Sequence, residues 1–265
     1  MRIPISLLCF FIFTNVVFCQ NTIKDIRQQA KEYESLREYK KAIDCYSNII
    51  KINPKDSFAY LDRALIKQVL LDYKGAIKDF TIAGKNNPTE PDCFFLRGML
   101  LQKMKDYKNA VLDYNKTMKL EYNPDAYRFR GQIKEVYKDY KGAMKDYNKA
   151  ASMNNYSEVY IDRGLLKCKL KDYKAAIEDL NSAIEISPLE ENVYYARAQF
   201  YTETKDYKKA IMDYNKDIEL NNQKPIYYLK KILLEIKLNE NENACNDLML
   251  YKKYGGKLNI KLNCN

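Results

Sequence analysis

The phrase Asp-Tyr-Lys-x-Ala constrains this chain more than any other feature. It stands at Asp72-Tyr73-Lys74-Gly75-Ala76 and returns at 106–110, 139–143, 172–176 and 206–210. Residues 38–42 are an earlier copy and 240–244 a worn later one. Its tyrosines fall at 39, 73, 107, 140, 173 and 207, in steps of 34, 34, 33, 33 and 34. A fixed period of this length belongs to stacked, near-identical units and not to one closed globule. Arrays of this kind carry function on a variable surface. What recurs is therefore scaffold, and what varies at matched slots is candidate function.

The unit Ser57 to Glu90 shows the internal pattern. Ala76, Phe80 and Ala83 are spaced by four and three, which places them on one helical face. Tyr60 and Ala64 open an earlier helix, and Leu71-Asp72 lies between the two. Asn86-Asn87-Pro88 ends the second, because proline cannot continue the ladder and the residue before it avoids helical dihedrals. Small residues hold one slot of the first helix (Ala64, Gly98, Gly131, Gly164, Ala198) and one of the second (Ala76, Ala110, Ala143, Ala176, Ala210). They let helix axes approach to the near end of about 8–10 Å. Tyr60, Phe94, Tyr127, Tyr160, Tyr194 and Tyr228 fill one large slot, and Tyr46, Phe80, Tyr114, Tyr147, Leu180 and Tyr214 another. Each contributes on the order of 1.5–3 kcal/mol when buried. A single hairpin cannot bury both faces, so neighbours must stack.

In this pattern the chain resembles the tetratricopeptide repeat family, whose unit runs aromatic, Leu-Gly, Tyr, Ala-x-x-x-Phe, Pro. The motif reads here as Phe94, Arg97-Gly98, Tyr107, Ala110, Tyr114, and as Tyr60, Ala64, Tyr73, Ala76, Phe80, Pro88. Seven copies lie in register at 23–56, 57–90, 91–123, 124–156, 157–190, 191–224 and 225–258. Tyr or Phe stands for the family's Trp, Arg for its Leu, and the closing Pro is missing where Asn155 and Asn222 stand. The resemblance implies an all-α, right-handed α-solenoid of about seven helix-turn-helix units over 20–258, followed by a tail at 259–265. It also implies a non-catalytic interaction scaffold whose first helices line a concave groove for an extended peptide or a partner helix. The matching slots hold Phe58, Leu61, Leu65, Phe95, Met99, Arg128, Gln132, Ile161, Leu165 and Tyr195. An apolar strip of this kind suits a protein or peptide partner with apolar side chains. The competing expectation is that some of these residues pack against neighbouring helices. The family's clamp for acidic peptide tails needs basic and Asn residues in three successive repeats. Arg27 and Lys31 fit the first, but Asp62, Asp92 and Leu96 follow, so no such clamp is expected.

The Arg departure has a partner. Arg63, Arg97, Arg130, Arg163 and Arg197 are each followed sixteen positions later by Asp79, Asp113, Asp146, Asp179 and Asp213. Repeat seven has Lys231 with Asp247, and repeat one has Gln29 with Cys45, so both charges vanish together. This predicts that each Arg forms a structural ion pair with the Asp of its own repeat and ties its two helices. The alternative is independent exposure, since isolated surface pairs are weak.

Residues 1–19 stand apart. Met1-Arg2 precedes an almost wholly apolar run from Ile3 to Cys19, and Gln20-Asn21 begins polar sequence. This reads as a secretory signal peptide, predicting an exported chain, periplasmic or secreted. A lipid on Cys19 would anchor it to an outer membrane instead, but Phe18 is bulky where such signals prefer a small residue. An uncleaved anchor would need roughly 20 apolar residues. Membrane attachment is expected only if the leader is retained or lipidated. A leader of this kind on a Lys/Asn/Tyr-rich chain looks like secreted proteins of the Bacteroidetes. Export permits a disulfide between Cys245 and Cys264, closing a loop of about 19 residues and contributing roughly 3 kcal/mol. Cys45, Cys93 and Cys168 read as small core residues.

Catalysis finds little support. The chain has no His, so Ser-His-Asp and Cys-His arrangements are excluded, and no Cys-x-x-Cys or glycine-rich phosphate loop appears. No metal and no cofactor is expected. Net charge is +10, and Lys40, Lys74, Lys108, Lys141, Lys174 and Lys208 recur beside the turn. A line of cations could bind an anionic envelope polymer or lipid surface. Nucleic acid is not an expected partner of an exported chain. Ile226, Leu229, Leu233 and Ile236 form an apolar stripe on the last repeat, where terminal units normally present a polar cap. The expected cover is the tail from Leu258 to Leu262, with docking or self-association as the alternative.

Overall fold

The computed structural model describes residues 22–153, 156–189, 193–221, 224–257, 259 and 262. The leader at 1–19, Cys264, and tail residues 258, 260 and 261 lie outside these. Among the described residues the chain is all helix and turn. The first helices of the repeats are α1 (22–35), α3 (Ser57–Val69), α5 (Pro91–Lys103), α7 (Pro124–Val136), α9 (Ser157–Lys169), α11 (Val193–Glu203) and α13 (Pro225–Lys237). The second helices are α2 (Tyr39–Ile52), α4 (Tyr73–Asn86), α6 (Tyr107–Leu120), α8 (Tyr140–Met153), α10 (Tyr173–Ile186), α12 (Tyr207–Asn221) and α14 (Asn241–Lys253). Two compact units part between Ile133 and Lys134, inside α7.

The recurring acidic residue ends one helix and starts the next. Leu71 turns to φ 63° and donates its N–H to the Gln68 carbonyl, while the Asp72 N–H reaches the Lys67 carbonyl at 2.8 Å and closes α3. The Asp72 carboxylate then accepts from the Gly75 N–H at 2.9 Å and opens α4. Positive φ recurs at Arg37, Lys105, Lys138, Lys171, Lys205 and Asn239. None of these is glycine, although left-handed backbone costs an ordinary residue roughly 1–2 kcal/mol. Part of that is recovered because glycine loses more freedom on folding. Leu71 is 69% exposed. Leu71→Gly should therefore raise stability by about 0.5–1 kcal/mol, seen as a higher urea midpoint at unchanged slope.

Within each unit the core lies between the two helices of a repeat and between successive repeats. Ala42, Ala76, Ala110, Ala143, Ala176, Ala210 and Ala244 are fully buried, as are Phe80, Tyr114, Tyr147 and Leu180. A Cβ on Gly98 would lie 2.9 Å from the Tyr114 ring, and one on Gly164 3.2 Å from the Ala176 carbonyl oxygen. Helix pairs meet closely at this slot, which explains why it stays small. In the first unit, Tyr114 stacks on Phe129 at 5.9 Å. In the second, Leu229, Ile236 and tail residue Leu262 pack onto the Tyr228, Leu248 and Tyr251 cluster, while Ile226 and Leu233 remain exposed. The cap stripe is thus half covered by described residues.

Candidate functional site

The Arg slot is a lattice of charge-assisted hydrogen bonds. Arg63 donates from Nε and Nη2 to both Asp79 oxygens at 2.8 Å. Arg97 does the same to Asp113 at 2.8 and 2.6 Å, Arg163 to Asp179 at 2.9 and 2.6 Å, and Arg197 to Asp213 at 2.8 and 2.7 Å. These bidentate forks are the strong form of the interaction. All four carboxylates are buried. Burial pushes the Asp113 carboxyl up, and Arg97 offsets only part of that. The hydrogen bond to Asp113 in turn raises Arg97. Arg130 lies in the first unit, bonded to Asn115, and Asp146 in the second, 2.8 Å from Lys134. Lys231 reaches Asp247 at 2.7 Å. In repeat one the Cys45 thiol faces the Gln29 side-chain oxygen at 4.0 Å, a neutral version of the tie.

Two further layers of this lattice had no motif to announce them. The remaining guanidinium nitrogen reaches back to the second helix of the preceding repeat: Arg63 to Ser47 at 3.0 Å, Arg97 to Thr81 at 3.0 Å, Arg163 to Asn148 at 3.0 Å and Arg197 to Asn181 at 2.7 Å. Lys67 and Lys167 add a second cation to Asp79 and Asp179, each at 2.7 Å. The last groove slot of the first helix also serves the core. Glu34, Gln102 and Glu135 accept from the buried hydroxyls of Tyr46, Tyr114 and Tyr147 at 2.6, 2.7 and 2.7 Å. Co-occurrence of Tyr and Glu/Gln twelve residues apart was the signal that could have shown it.

The first-helix face divides by burial. In the first unit Leu61 is only 9% exposed and belongs to the Tyr60, Phe80, Cys93 and Leu100 core, so it cannot meet a groove ligand. Sequence places it on the groove face, but the neighbouring repeat closes over it. Phe95 and Met99 are half-buried against the Tyr114 cluster, with Phe95 5.9 Å from Phe129. Arg128 lies over the Phe129 ring at 4.4 Å and pairs with Asp125, and Gln132 accepts from Gln102. Phe58 and Leu65 remain exposed, at 52% and 36%. In the second unit Ile161 is half-buried, Tyr195 contacts the Tyr214 and Tyr227 rings, and Leu165 is exposed. Arg27 is occupied by Asp56 at 2.8 Å and Asp62 at 3.1 Å, which removes it as a receptor for a peptide carboxylate.

Cys45, Cys93 and Cys168 are free, and burial pushes the Cys93 thiol up to about 12. Cys245 is disulfide-bonded, while Cys264 lies outside the described residues. The six recurrent lysines at 40, 74, 108, 141, 174 and 208 are all exposed. Among the described residues no group of three His, Cys, Asp or Glu side chains is placed to hold a metal ion.

Paired helices tied by a conserved-in-register Arg–Asp fork, with an uneven apolar first-helix face, define an α-solenoid of the protein-binding class. A sequence model described as "Tetratricopeptide repeat" matches residues 28–56, 91–124, 157–188 and 191–224. The chain is a tetratricopeptide repeat protein. Its fold is similar to the crystal structure of a tetratricopeptide repeat protein from Parabacteroides merdae, with a TM-score of 0.68, 16% identity and coverage of 89% of this chain and 94% of that one. The C-terminal part of a repeat protein from Cytophaga hutchinsonii gives a TM-score of 0.69 at 18% identity, covering 88% and 96%. YrrB, described as having an unusual peptide-binding site, gives 0.53 at 18% identity, covering 66% and 91%. At these identities the likeness is one of fold. No curated protein matches the chain.

Proposed function

We propose that the chain is an exported, non-catalytic scaffold that binds a protein or peptide through the apolar part of its first-helix face. The observation that carries this is the exposure of Phe58 and Leu65 in the first unit, and separately of Leu165 in the second, on first-helix faces where Leu61, Phe95 and Met99 pack into the core. An apolar strip on this face suits a partner that brings apolar side chains of its own. The peptide-binding relative of the same fold supports the class of partner.

The test is cross-linking and pull-down from the envelope fraction, where the mature chain should begin at Gln20. The double variant Phe58→Asp/Leu65→Asp should keep its helical circular dichroism and lose its partners at least tenfold, a change of about 1.4 kcal/mol or more. Binding carried by the exposed lysines would instead survive these changes and weaken steeply with salt. A partner set unchanged in the double variant rules the groove out.

A further inference from the structure

Repeat seven breaks the charge lattice. Its Arg slot holds Lys231, which gives a single ammonium to Asp247 at 2.7 Å and lies 3.5 Å from Glu235. Glu235 occupies the slot that carries Lys67, Lys134 and Lys167 in other repeats. Two cations and one carboxylate have become one cation and two carboxylates. Glu235 is 1% exposed, and its Oε2 has no hydrogen-bond partner. Asn215 stands where Thr81 and Asn181 receive an arginine, yet no donor among the described residues reaches its side chain. These groups converge on an open pocket of about 210 Å³, lined by Asn215, Lys231, Glu235, Glu240, Asn243 and Asp247 among others.

We propose that this pocket binds a guanidinium group brought from outside the chain, an arginine side chain or an arginine-like small molecule. The array itself supplies the template: elsewhere a guanidinium joins the buried Asp to the preceding helix's Thr or Asn. A planar fork with five donors matches Asp247, Glu235 and Asn215 together, which a single ammonium does not. The Glu235 carboxyl is pushed up to about 7, by burial first and by Asp247 beside it, with Lys231 offsetting only part. A hydrogen bond between the Glu235 and Asp247 carboxyl groups also raises it, so a proton stands between them where other repeats place a second cation.

The experiment titrates the full chain with N-acetylarginine amide, free arginine and N-acetyllysine amide, reading the side-chain amide resonances of Asn215, Asn243 and Asn246. Lys231→Arg supplies the guanidinium from within, and its fold is checked by circular dichroism. The expected result is saturable binding of N-acetylarginine amide that weakens at least tenfold in Lys231→Arg and exceeds that of the lysine derivative. Tighter binding of the capped form than of free arginine assigns the site to a protein side chain, and the reverse assigns it to a small molecule. No saturation below about 50 mM, equal binding of the lysine derivative, or undiminished binding in Lys231→Arg overturns the proposal.

Discussion

Arg97→Met should cost the array about 3–5 kcal/mol, and Arg63→Met clearly less. Both remove a bidentate fork from a buried Asp, but their neighbours differ. Asp113 is left without a cation, because Leu101 stands where repeat two has Lys67. Asp79 keeps Lys67 at 2.7 Å. An uncompensated buried charge is what makes breaking such a pair expensive. Urea midpoints, with hydrogen exchange of α5 and α6 amides to localise the loss, provide the measurement. The double variant Arg97→Met/Asp113→Leu should recover much of the stability, since the pair replaced together leaves nothing buried and unpaired. Equal losses at Arg63 and Arg97, or additive effects at Arg97 and Asp113, would contradict this account.

The second large effect lies at Glu235. Burial, with Asp247 beside it, pushes its folded carboxyl up to about 7, well above the unfolded value of about 4.3. The protonated form is favoured by the fold, so the stability it contributes is complete below about 4.3 and is lost as pH climbs through 7. The charged groups facing it are Asp247 and Lys231, with Glu240 on the same pocket. Glu235→Gln stays neutral and should stabilise α13 and α14 by on the order of 1–3 kcal/mol above pH 8, with little change at pH 4. Denaturant midpoints across that range decide it. Parallel pH profiles for wild type and variant would show that another group controls the cap.

The repeat length, the helix pairs and the Arg–Asp relation were legible because each recurs with one spacing. Arg and Asp sixteen residues apart in five successive units cannot be chance surface charge. The backward reach of the same arginines was not legible, since Ser47, Thr81, Asn148 and Asn181 share an acceptor oxygen but are of three residue types, at spacings of sixteen or fifteen. Leu61 was placed on the groove face because slot counting within one helix ignores the neighbour that covers it. Phe58 and Leu65 lie on the same helix yet stay exposed, so the difference is tertiary. Glu235 was hidden for the opposite reason. Only its comparison with Lys67 and Lys167 shows a reversed sign, and only burial gives that reversal a cost.

The fork within each repeat bears on how such a chain changes length. The Arg-slot carboxylates of repeats two, three, five and six, Asp79, Asp113, Asp179 and Asp213, each find their guanidinium inside their own repeat. The contact to the preceding unit needs only a small hydroxyl or amide, which water can replace. Such a repeat can therefore be duplicated or deleted without stranding either member of its fork. Growth and shrinkage by copying errors would leave each surviving module electrically whole, and only the atypical last module would resist being moved inward.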